Sequence, residues 1–260
     1  MFEEKLRAAA DHVAALGYMP VYVSLHGSQN YGLDVYTKEY QSDFDFKCVV
    51  LPSLWDLVQG KKPASLTVAT DDGQIDIKDI RIFCDTLERM NPAYLESIAT
   101  QHQLVLSGGE RMAEIRVLLP ELMGEQSSRF AQACTGLFED KAKRMQYDCP
   151  AAHDRIVRYG YDGKQAHHMY RLKLLLDIFE KSGEMQLAAP REARALLTQL
   201  KLNEIPLADV LEMIPGWREA MRADLMRIEE KSGAPKRKVL DEIVHISQEM
   251  MYAHCLKSGK

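Results

Sequence analysis

Hydrophobic periodicity changes character once along these 260 residues, and that change limits the folds open to the chain. Up to about residue 106, short runs with two-residue alternation are interleaved with helical spacings. From about Ser107 onward only helical spacings remain, interrupted by Pro120, Pro150, Pro190, Pro206 and Pro215. A chain built this way predicts an α+β protein, in which a mixed β-sheet domain covered by helices is followed by an α-helical domain. The turn-prone Ser107-Gly108-Gly109 marks the expected boundary, giving domains 1–107 and 108–260, and the length suffices for two cores of unequal size.

Within the first part the spacing predicts a helix from Glu3 to Leu16 and strands at Val21–Leu25, Asp43–Leu51 and Gln74–Ile82. Between the first two strands, HGSQNYGLDVYTKEYQS is rich in Gly, Asn, Asp and Tyr and reads as a loop. After the third strand, CDTLERMNPAYLESIAT predicts two short helices. Asp85 is placed to cap the first, and Asn91 the second, with Pro92 at its first position. The closing KSGK is expected to fray.

No apolar run approaches the roughly 20 residues that cross a bilayer, and the opening residues lack a secretory pattern, so a cytoplasmic protein is expected. A net charge of −5 argues against indiscriminate coating of nucleic acid. Five cysteines without a C-x-x-C pair suggest reduced, structural thiols.

Chemistry concentrates in SDFDFKCVV. Alternation puts Asp43 and Asp45 on one face of a strand and Phe44 and Phe46 on the other. Two neighbouring carboxylates raise each other's pKa unless a cation lies between them, and oxygen-only ligands suit Mg²⁺ or Mn²⁺. A solvated strand end or a cap is the plainer reading of a D-x-D by itself. QIDIKDIRI offers Asp76 on the face shared by Gln74 and Lys78, with Asp79 on the other, and Glu39 lies in the loop before the pair. Lys47 and Lys78 are either positive charges near a phosphate or solvated strand lysines. Gly27-Ser28 directly follows the first strand, where a glycine lets main-chain amides approach a phosphate and a serine hydroxyl donates to it.

A strand ending in Gly-Ser, a loop, a strand with Asp-x-Asp and a further strand with an Asp resemble the nucleotidyltransferase superfamily typified by DNA polymerase β. More narrowly, GSQNYGL, SDFD, IDIKDIRIF and MNPAYLE are similar to predicted nucleotidyltransferases of bacteria and phages. The likeness continues through GYDGKQAHHMYRL, so that its motifs span about His26 to Met213. The loop before Asp43 is longer than the usual superfamily spacing, and His26 stands where an apolar residue commonly precedes the glycine.

The resemblance implies a palm-like domain in which Asp43 and Asp45 bridge two Mg²⁺ or Mn²⁺ ions and Asp76 is the third ligand. It implies that Gly27 and Ser28 contact the triphosphate. It also makes Lys164, His168 and Arg171, which share one helical face by their spacing, candidates for nucleotide binding. The implied reaction moves a nucleoside monophosphate from a nucleoside triphosphate to a hydroxyl acceptor, an RNA end, a protein or a small molecule, and releases pyrophosphate. The alternative is a degenerate member that binds nucleotide or nucleic acid and regulates without chemistry.

Overall fold

The computed structural model describes residues 1–38 and 40–258. Glu39 and the last two residues of KSGK therefore lie outside the described residues. In chain order the elements are α1 Phe2–Ala15, β1 Met19–His26, α2 Ser28–Tyr31, β2 Phe44–Leu51, α3 Leu54–Val58, β3 Ser65–Thr70, β4 Gly73–Asp79, α4 Ile80–Glu88, α5 Pro92–Ala99, β5 Gln103–Val105 and α6 Met112–Glu125. The helices α7 Ser127–Arg144, α8 His153–Tyr159, α9 Gly163–Ser182, α10 Arg194–Lys201, α11 Leu207–Lys231 and α12 Lys238–Ser258 follow, with one turn of 3-10 helix before α10.

The five strands form one mixed sheet in the order β3-β4-β2-β1-β5, as an α+β chain requires. β2 and β4 run parallel, and the other neighbouring pairs run antiparallel. Alternation sorts the two faces. Val23, Leu25, Phe46, Cys48, Val50, Ile75 and Ile77 form a core with Leu6, Ala9, Ala10 and Val13 of α1. The opposite face carries Ser24, His26, Asp45, Lys47, Asp76 and Lys78, with Ser24 opposite Lys47, His26 opposite Asp45 and Lys47 opposite Asp76.

Several elements differ from the expected ones for identifiable reasons. β4 ends at Asp79 instead of reaching Ile82, because the Asp79 side chain accepts from the Arg81 amide at 2.9 Å and starts α4 there. Asp85 therefore lies inside α4 and caps nothing, whereas Asn91 caps α5 with Pro92 in its first turn, as expected. β3 was not anticipated. It is an edge strand that alternates exposed Ser65, Thr67 and Ala69 with half-buried Leu66 and Val68, which pack on the core, and Asp71-Asp72 turn it directly into β4. Gly73 at that turn is obligatory, since a Cβ there would lie 2.2 Å from the Phe44 carbonyl oxygen of β2. The stretch after Gly27 contains the single turn α2, closed by left-handed Gly32. Pro120 and Pro215 lie inside α6 and α11 instead of ending helices, because buried residues continue on both sides: Ile115 and Leu119, then Leu122 and Met123 in α6.

Packing divides the chain elsewhere than at 107/108. One compact unit is Met1–Glu125 with the segment that begins at Lys236, and the other is Gln126–Pro235. In the first, α6 packs on α5, and α12 packs on α4 and α6. All five cysteines are free thiols. No helix among the described residues is long and apolar enough to cross a membrane.

The second unit is built around α9, which packs on α7, α10 and α11. Asp162 caps α9 by accepting from the Lys164 amide at 3.1 Å, and Gly163 is needed because a Cβ would lie 2.2 Å from the Leu200 carbonyl oxygen. His167 is buried and donates from Nδ1 to the Leu197 carbonyl at 2.9 Å, so it is neutral and structural. Burial lowers its pKa from 6.5 to about 4, opposed by that bond and reinforced by the charges of Arg171 and Lys201. Below about pH 6.5 the unfolded chain takes up a proton that the folded chain refuses. Stability is therefore full above that pH and falls as pH drops toward about 4, by about 3 kcal/mol from this group. Urea midpoints at pH 7 and 4.5 check this: the acid-induced drop should be smaller in His167→Gln, and an equal drop in both proteins would refute it.

Candidate active site

Because β1 and β2 are antiparallel, the end of β1 lies beside the start of β2, and His26 is paired with Asp45. Gly27 follows at φ 77° and ψ −160°, a conformation essentially confined to glycine. A Cβ at Gly27 would lie 2.7 Å from Asp45 Oδ2. The Gly-Ser turn is thus in direct contact with the second carboxylate of the D-x-D, and only a residue without a side chain fits between them. Asp43 is exposed and precedes β2, while Asp45 and Ser28 are half-buried.

The turn is anchored from α5. Asn30 Oδ1 accepts from Thr100 Oγ1 at 2.6 Å at the end of that helix. Tyr31 is buried, as packing would have it, and its hydroxyl donates to Glu96 Oε2 at 2.5 Å and lies 3.4 Å from His26 Nδ1. Glu96 is fully buried in this arrangement.

Asp76 sits one strand step further along the same face, where the register puts Lys47, and not Asp45, opposite it. Asp76 Oδ2 accepts from Lys47 Nζ at 3.0 Å and from the Tyr94 hydroxyl at 2.6 Å, and Oδ1 lies 2.9 Å from Lys78 Nζ. Lys47 is only 7% exposed and stands 4.1 Å above the Tyr94 ring centroid. Lys78 Nζ also donates to Ser65 Oγ at 2.8 Å. Burial alone would raise the Asp76 pKa, but the Lys47 charge and the bonds from Tyr94, Lys78 and Lys47 outweigh it and hold the carboxyl below its usual range. Burial, with the bond to Asp76 and its charge, pushes the Tyr94 hydroxyl upward, so Tyr94 stays a donor.

The structure therefore brings Gly27, Ser28, Asp43 and Asp45 to one end of the sheet and commits Asp76 to a lysine-tyrosine network. Asp79 takes no part, being held by the Arg81 guanidinium at 2.7 and 2.9 Å. Lys164, His168 and Arg171 belong to the second unit, half-buried on α9. Tyr94 and Glu96 were not singled out from the sequence, although both lie in the MNPAYLE segment. Helical spacing does not mark them, because Pro92 and Tyr94 through Ile98 are all buried and α5 shows no polar face.

Among the described residues, no group of three or more His, Cys, Asp or Glu side chains is gathered closely enough to hold a metal ion. The pair Asp43 and Asp45 nonetheless suits a hard divalent cation. Mg²⁺ accepts one or two protein carboxylates and fills the rest of its shell with water and phosphate oxygens.

No family model matches the chain, and no curated protein matches it. Among solved structures it is similar to a nucleotidyltransferase-like protein from Exiguobacterium sibiricum 255-15. The two share 12% identity and a TM-score of 0.31, over 97% of this chain and 79% of that one. A likeness of that size carries no argument about this chain's activity.

Proposed function

We propose that the chain is a nucleotidyltransferase whose site is the end of the sheet where β1 meets β2. The observation that carries this reading is the contact between the Gly27 main chain and the Asp45 carboxylate. It joins a turn able to hold phosphates to an acidic pair able to hold a cation, the two elements that activation of a nucleoside triphosphate needs.

In this reading the main-chain amides at Gly27 and Ser28 and the Ser28 hydroxyl bind the triphosphate. They grip it without bringing a charged side chain against Asp45. Asp43 and Asp45 hold Mg²⁺ or Mn²⁺. A cation bound there supplies positive charge to the phosphate oxygens around the reacting phosphorus. The exposed position of Asp43 leaves that end of β2 accessible to a nucleotide and a hydroxyl acceptor. Lys164, His168 and Arg171 are proposed as an anion-binding stripe of the second unit, on one side of α9.

The test is incubation of the protein with each nucleoside triphosphate radiolabelled at the α-phosphate, with Mg²⁺ or Mn²⁺ and with RNA, protein and small-molecule acceptors. Label is expected to move to one acceptor class, and only when a cation is present. Nucleotide binding without transfer to any acceptor would favour the regulatory, non-catalytic reading instead.

A further inference from the structure

We infer that Asp76 is not a metal ligand but the half-buried counter-ion that fixes Lys47 and Lys78, so that the site takes one divalent cation, at Asp43 and Asp45, with ammonium groups in the place of a second.

Oδ2 of Asp76 is engaged, and Oδ1, although it makes no hydrogen bond, lies against an ammonium group. Oδ2 already accepts from Lys47 at 3.0 Å and from Tyr94 at 2.6 Å, and Oδ1 faces Lys78 at 2.9 Å. One negative charge is thus set against two positive ones, and a divalent ion added to this carboxylate would meet both ammonium groups at close range. Strand register agrees. The residue of β4 opposite Asp45 is the neutral Gln74, whereas Asp76 lies two residues on, about 6.6 Å along the strand.

The network is also held from α5 and from the edge strand β3. Tyr94 reaches Asp76 from the capped helix α5 and places its ring under Lys47, and Ser65 on β3 accepts from Lys78. Lys47 is buried on the face that carries Asp45, two residues along the same strand. A lysine is a compact point charge suited to phosphate oxygens. With Asp76 behind them, Lys47 and Lys78 are oriented to neutralise charge on the triphosphate while Asp43 and Asp45 hold the single cation.

This inference rests on the proposed cation site at Asp43 and Asp45. The experiment is a titration of the protein alone with Mn²⁺, followed by electron paramagnetic resonance, on wild type, Asp45→Asn and Asp76→Asn. One Mn²⁺ per chain is expected. Affinity should fall about tenfold or more in Asp45→Asn and stay within about 3-fold in Asp76→Asn. Two Mn²⁺ per chain, or loss of Mn²⁺ on Asp76→Asn in a folded protein, would overturn the assignment. Should Asp76→Asn fail to fold, the wild-type stoichiometry alone decides. If wild type binds no Mn²⁺ while Asp45→Asn behaves identically, the cation site itself is wrong and the inference falls with it.

Discussion

Asp45→Asn is expected to lower cation-dependent nucleotidyl transfer by about three orders of magnitude while changing stability by less than about 1 kcal/mol. The substitution keeps the shape that packs against Gly27 and removes only the charge. Asp45 is half-buried, at the start of β2, where the loss of one carboxylate leaves the apolar core on the other face untouched. What it removes is the negative charge beside a turn built for phosphate. A cation would lose half of its proposed protein ligands, and the triphosphate would lose the ion that neutralises it. Initial rates of label transfer, set beside urea denaturation of the same preparations, separate the two effects. Activity within tenfold of wild type would remove Asp45 from the chemistry.

Lys47→Met is expected to cost stability, which Asp45→Asn does not, besides removing an ammonium group that the inference sets beside the triphosphate. The side chain is of similar length and apolar, so the cavity effect is small, but Asp76 loses a buried partner at 3.0 Å. Breaking one half of a buried ion pair costs about 3 to 5 kcal/mol, and less than that is expected because the carboxylate is half-buried, keeps the Tyr94 bond and has Lys78 Nζ at 2.9 Å. The attraction between the ammonium and the Tyr94 ring, at 4.1 Å, is lost as well. Combining Lys47→Met with Asp76→Leu should recover much of the loss, since no unpaired charge is then left at that place. A double-mutant cycle from urea denaturation measures this, and strictly additive effects of the two substitutions would show that the pair is not coupled.

Much of the sheet was legible because β2 and β4 each present a clean apolar face: Phe46, Cys48 and Val50 on one, Ile75 and Ile77 on the other. The Asn91-Pro92 start of α5 was legible for a similar reason, since cap and first-turn proline are local chemistry. β3 is less legible: SLTVAT does alternate, with Leu66 and Val68 half-buried against the core, but the run is short and its other positions are polar or small. The end of β4 was hidden because DIRI continues the alternation while Asp79 bonds forward to the Arg81 amide, a choice that the pattern does not record. At the candidate site, alternation placed Lys47 on the face of Asp45 and Lys78 on the face of Asp76. It did not reveal that Asp76 meets Lys47, because that depends on the parallel register of two strands separated by α3 and β3. Nor did it find Tyr94, which arrives from a helix beyond both strands.

Gly73 gives that register a safeguard. Its missing side chain lets the β3–β4 turn seat against the main chain of Phe44, where the Phe44 amide donates to the Asp72 carbonyl at 2.8 Å. The charges act as a second ruler. Sliding β4 by two residues in one direction would set Lys78 opposite Lys47, like against like. Sliding it by one would turn Asp76 toward the apolar core. The turn and the ion pair thus proofread the same alignment by independent means. The chain has latitude to vary Asp71, but very little at Gly73, which seats against Phe44 between the two carboxylates of the D-x-D.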